Sequence, residues 1–132
     1  MPTNLNVNLD TNIAPASLDV VDLNGLNVFS ESPIAHVITW TLSGNAAQGT
    51  FAPLIDPEPG FAWIGTPPPS TIFSSPTLNS AGNVITITDL NDAASTRGMW
   101  VYILRATIGG VSYHTISNSP RGTTTNPWIK NN

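Results

Sequence analysis

Apolar and polar residues alternate with a period of two along several short stretches of this chain. In NLNVNLD, residues 4–10, Leu5, Val7 and Leu9 fall on one face and Asn4, Asn6 and Asn8 on the other. That is the pattern of a strand with one side in a core and the other in water. SLDVVDL (17–23), closed by Asn24-Gly25, reads as a second strand. HVITWTLS (36–43) is a third, with Ile38, Trp40 and Leu42 opposed to Val37, Thr39 and Thr41 before a turn at Ser43-Gly44-Asn45. NVITITDL (83–90) repeats the alternation, with Ile85 and Ile87 against Thr86 and Thr88. GTFAPLI (49–55) is shorter, and Pro53, which has no N–H to give a ladder, marks it as an edge or a bulge.

The strongest supersecondary signal is GMWVYILRATIGGVSYHTI, two alternating segments around Gly109-Gly110. A Gly-Gly pair adopts the positive φ angles of a two-residue hairpin at no steric cost. The register then follows by counting: Ile108 opposes Val111, Ala106 opposes Tyr113, Arg105 opposes His114 and Leu104 opposes Thr115. The face bearing Trp100, Tyr102, Leu104 and Ala106 is the one to bury. TTTNPWIK, near the C-terminus, reads as a final edge strand because of Pro127.

Between these segments, residues 56–76 contain six of the twelve prolines. Proline fixes φ and removes a donor, so this stretch is expected to run extended, with at most one short strand at FAWI (61–64). Short alternating segments with frequent turn signals predict an all-β fold, an antiparallel β-sandwich of about seven to nine strands, in one domain over residues 1–132. The ten glycines and abundant Asn, Ser and Thr argue further against long helices.

Composition narrows the function. Four Lys and Arg against eight Asp and Glu leave too little positive charge to neutralise many phosphates, so nucleic acid is not an expected partner. With no cysteine there is no disulfide, thiolate metal site or thiol nucleophile. The N-terminal MPTNLNVNLD carries neither a basic nor an apolar targeting region, and no stretch reaches the ~18 apolar residues of a membrane span. A soluble, cytoplasmic protein without membrane contact is the expectation.

Residues 83–115 resemble the E, F and G strands of an immunoglobulin-like domain. Gly98, Trp100 and Tyr102 stand at the spacing of the Gly, the corner Tyr and the second Cys of such domains. The chain departs from that pattern in having Trp for the Tyr, Tyr for the Cys, and no Asp two residues before the Gly. Over more of the chain, DPEP (56–59) together with ITITDLND, YILRATIGGVSYHT and TTTNP resembles the small bacterial proteins of the DP-EP family. That resemblance implies an immunoglobulin-like sandwich and supplies no catalytic residues.

The candidate chemistry is sparse. Asp56 and Glu58, flanked by prolines, could serve as paired carboxylates for glycoside hydrolysis, which requires burial and a cleft between them. They could equally hold a cation, though two oxygen groups fall short of the ~6–8 ligands of calcium. The simpler reading is a stiff exposed corner whose acids accept backbone N–H bonds, with Gly60 permitting the turn that returns Phe61 and Trp63 to the sandwich. DLND (89–92) fails as an EF-hand loop, because Ala93, Ala94 and Trp100 occupy positions that need ligands or glycine. It reads as a turn in which Asp and Asn bond their own backbone. The only histidines, His36 and His114, accompany no nucleophile motif.

Trp63 and Trp128, in irregular segments, are candidates for an aromatic platform with Tyr113, while Trp40, Trp100 and Tyr102 belong in the core. The reading is therefore a non-enzymatic interaction module with no cofactor and no metal, acting on a protein partner or by self-association. Its candidate binding residues are Asp56, Glu58, Trp63 and Trp128. The alternative is a carbohydrate- or calcium-binding module, or a glycoside hydrolase, built on the Asp56, Glu58 and Trp63 loop.

Overall fold

The alternating segments pair into two sheets that face each other across one core. The computed structural model describes residues 2–21, 27–115 and 127–132, and the Asn24-Gly25 turn and most of TTTNP lie outside them. Among the described residues are eleven strands: β1 (Pro2–Asp10), β2 (Ser17–Val21), β3 (Val28–Phe29), β4 (His36–Leu42), β5 (Thr50–Phe51), β6 (Phe61–Ile64), β7 (Thr77–Leu78), β8 (Val84–Asp89), β9 (Gly98–Ile108), β10 (Val111–His114) and β11 (Trp128–Asn131). Two single 3-10 turns, Gly44–Ala46 and Ala94–Thr96, are the only helical pieces among them. None of these residues forms a helix long and apolar enough to cross a membrane.

The first sheet has the order β2-β1-β4-β8-β7. Its register places Leu18 and Val20 opposite Leu9 and Val7, and Trp40 between Leu5 and Ile85. The apolar half of every alternating pattern therefore lands on one face. Its other face is mostly uncharged and polar, with Asn4, Thr39, Thr86 and Thr77 side by side on four strands and Asp19 exposed opposite Asn8. This polar surface does the solvating work that a chain poor in charge assigns elsewhere.

The second sheet is built around the long strand β9, with the path β10-β9-β11-β3. One side of β9 pairs with β10 and then β11, and the other with β5 and then β6. The Gly109-Gly110 hairpin has the expected register, Ile108 to Val111 and Arg105 to His114. Both glycines have positive φ, 59° and 79°, which matches the twist of the flanking strands. Tyr102, Leu104 and Ala106 of β9, Phe51, Phe61, Ile129 and Phe29 complete the core against the first sheet, with Trp100 half-buried at its margin.

Three expectations are corrected. The sheets are mixed rather than antiparallel: β1 runs parallel to β4 and β11 parallel to β3. There are more strands than expected, because β3 and β7 are two-residue pairings too short to show a period. And β11 is not an edge, since it lies between β9 and β3. Pro127 precedes the strand, where its missing N–H costs nothing and its carbonyl accepts the Tyr102 N–H at 3.0 Å.

At the centre of the core, Trp40 and Tyr102 are fully buried, with ring centroids 5.1 Å apart. The Trp40 Nε1–H donates to the Tyr102 hydroxyl at 2.9 Å, which joins the two sheets. Burial pushes the Tyr102 hydroxyl far above the ordinary tyrosine range, with the Trp40 bond opposing the effect.

Candidate functional site

The proline-rich corner is an excursion from one interrupted strand. The backbones of Ala52 and Gly60 both meet Arg105 of β9: Ala52 N–H donates to the Arg105 carbonyl at 3.0 Å, and Arg105 N–H donates to the Gly60 carbonyl at 3.0 Å. Residues 53–59 leave the sheet through this neck and return to it. The Arg105 guanidinium donates to the Pro59 carbonyl at 3.0 Å, a third tie from the same residue.

Gly60 is needed for close approach rather than for an unusual φ. A Cβ there would lie 2.4 Å from the Ala52 carbonyl oxygen, inside the neck itself. Within the excursion, Asp56 N–H donates to the Pro53 carbonyl at 3.2 Å and Glu58 N–H donates to Asp56 Oδ1 at 3.0 Å. The latter is an Asx turn. Asp56 therefore spends one carboxylate oxygen on shaping the loop, as the stiff-corner reading expects. Both acids are exposed, and Ile55 beside them is 96% exposed.

The acids nevertheless do not stand alone. Asp56 and Glu58 line a depression of about 280 Å3 with Arg105, Tyr113 and His114, its floor formed by β5, β9 and β10. The pairing of Arg105 with His114 puts both on the outward face of the hairpin, beneath the excursion. His114 Nδ1 lies 2.6 Å from the Thr115 carbonyl. A carbonyl only accepts, so in this contact Nδ1 carries a proton and donates it. No group of three or more His, Asp or Glu among the described residues is placed to hold a metal ion.

Trp63 and Trp128 take no part in this depression. Trp63 opposes Tyr102, and its ring packs on Phe61 and Phe73 at 5.0 and 4.8 Å. Trp128 opposes Val101, one residue along β9 and so on the other face of the sheet. The two indoles cannot form one platform. Tyr113 borders the depression, but it opposes the buried Ala106 and packs against the core, on the other face of the hairpin from Arg105 and His114.

Sequence reasoning also missed a buried polar cluster. Asp89 and Asn91 do not bond their own backbone. Asn91 Nδ2 donates to the Phe29 and Asn132 carbonyls at 3.0 and 3.1 Å, and its Oδ1 accepts from Thr96 Oγ1 at 2.9 Å. Asn131 Nδ2 donates to Asp89 Oδ1 at 2.8 Å and to the Thr96 carbonyl at 3.0 Å. The signal available in the sequence was the parity of the strand: Asp89 continues the inward Ile85, Ile87 series.

No family model matches the chain, and no curated protein matches it either.

Proposed function

We propose that this protein is a non-enzymatic interaction module of immunoglobulin-like type, and that its ligand-binding face is the depression beneath the Asp56–Glu58 excursion. The observation that carries the reading is the convergence there of two exposed carboxylates with Arg105 and His114, on a rim tied to β9. Acceptors outnumber donors at this rim, which suits a donor-rich partner group such as a lysine or arginine side chain of a protein. The immunoglobulin-like part is supported by the Trp40–Tyr102 bond, in which Tyr102, at the position resembling the second Cys, links the two sheets. Hydrolysis is disfavoured because both carboxyls are exposed and one is engaged in the Asx turn.

A second reading, carbohydrate binding, is favoured by the hydrogen-bonding rim itself, where two exposed carboxylates stand with Arg105 and His114. Titration of the ¹⁵N-labelled protein with a lysine- and arginine-rich peptide, and separately with an oligosaccharide panel, tests both. Shifts confined to Thr107, Ser112 and His114, and weakened in Glu58→Ala, are expected with one of the two. Peptide-induced shifts support the first reading and sugar-induced shifts the second. Absence of any shift at millimolar ligand, or release of hydrolysed sugar, would overturn the binding-module reading.

A further inference from the structure

Asp89 sits at the end of β8 with no exposure to solvent, and Asn131 of β11 beside it is 2% exposed. One hydrogen bond joins them, from Asn131 Nδ2 to Asp89 Oδ1. The other oxygen of each side chain, Asp89 Oδ2 and Asn131 Oδ1, is buried without a partner. Two acceptors left over on the same pair of planar groups are jointly satisfied by a single proton. The rest of the cluster offers none: the Asn131 amide protons go to Asp89 and Thr96, and those of Asn91 go to Phe29 and Asn132.

We propose that Asp89 and Asn131 form a cyclic carboxylic acid–carboxamide pair, in which Asp89 Oδ2 carries a proton and donates it to Asn131 Oδ1. The pair spans the two sheets, since β8 belongs to the first and β11 to the second, so it acts as a pH-sensitive clasp on the C-terminal strand. The groups facing Asp89 allow this. From β4 the His36 imidazole, its register partner, pulls toward the charged form. Phe73 pairs with Asp89 from the opposite side, and the Ala94–Thr96 turn contributes a carbonyl. Lys130 projects to the other face of β11 from Asn131. Burial, the largest influence, raises the Asp89 carboxyl above its ordinary value, against the lowering effects of Asn131 and His36.

The sign of the linkage follows. A carboxyl whose folded-state value is raised contributes its full stability below the unfolded value, 3.8, and loses it as pH rises toward the folded one. Asp89→Asn reproduces the neutral acid, with an amide N–H where the proton would be. Its stability should match the wild type near pH 3. As pH rises above 3.8 toward the folded-state value, the wild-type unfolding constant, measured by urea denaturation, should grow relative to the variant by up to about tenfold per pH unit, which is 1.4 kcal/mol. The shared Asp19, raised by its own burial and by Asp10, cancels in this comparison. A gap that stays constant with pH, or a variant that loses stability relative to the wild type as pH rises, would overturn the proposal.

A measurement on the unaltered protein gives an independent check. The ¹³Cγ resonance of Asp89 should stay at the protonated position at pH values where exposed aspartates of the same protein have already titrated, whereas an ordinary carboxylate titration would refute the pair. A cation could also satisfy both oxygens. A melting temperature raised by calcium or potassium in the wild type and not in Asp89→Asn would show that arrangement instead and overturn the proton assignment, and unchanged melting in both salts is the expected result.

Discussion

Single residues decide how this small core is closed. Trp and Tyr are usable in a core only where their polar atoms find partners, and Trp40 and Tyr102 satisfy each other across the interface. Removing the hydroxyl in Tyr102→Phe leaves the indole N–H buried without an acceptor. A loss of about 1–3 kcal/mol is expected for such an orphaned donor, read as a lowered urea midpoint with an unchanged m-value. A neutral effect would mean that the bond contributes nothing to holding the sheets together. Asp89 and Asn131 are the complementary case, a buried pair that leaves one oxygen of each side chain without a partner.

At the scale of elements, the legible parts of the fold were those with a period. β1, β4, β8 and the β9–β10 hairpin follow from alternation and from the Gly109-Gly110 turn, because burying one face and solvating the other imposes that spacing on the sequence. FAWI was also legible, as the one apolar run in a proline-rich stretch. The β3 and β7 pairings and the buried Ile72 and Phe73 were not. A two-residue strand has no period, and Ile72 and Phe73 reach the core from a turn, closed by the Ile72 N–H on the Pro69 carbonyl, and from the single bridge of Phe73 to Asp89. Sheet order was equally invisible, since the parallel β1–β4 and β11–β3 pairs join segments distant in the chain.

The candidate site was half legible. Its acids stand out as DPEP, and the pairing of Arg105 with His114 could be counted from the turn, but nothing local says that the loop folds over that pair. The neck makes the link, and Gly60 is its tightest point. Gly60→Ala should force Ala52 and Gly60 apart, with a cost of about 1–3 kcal/mol from overpacking. It should also produce amide shift changes at Arg105 and His114. A variant with wild-type stability and an unshifted Arg105 amide would show that the neck is looser than described.

For the molecule as a whole, the two sheets consume nearly every alternating apolar residue, and one face of the first sheet is left to Asn and Thr. Polar groups of different chemistry gather at one rim, and that rim hangs from β9, the strand that also carries Tyr102 and Leu104 into the core. Core and rim are thus joined through one strand, so the proposed binding face would be preformed and binding would not need to order it. Native-state hydrogen exchange tests this most directly. The amides of Ala52 and Arg105, which close the neck, are expected to exchange with the same high free energy as those of Trp40, Ile87 and Leu104 in the core. Neck amides that exchange as fast as an unprotected loop while the core stays protected would contradict it.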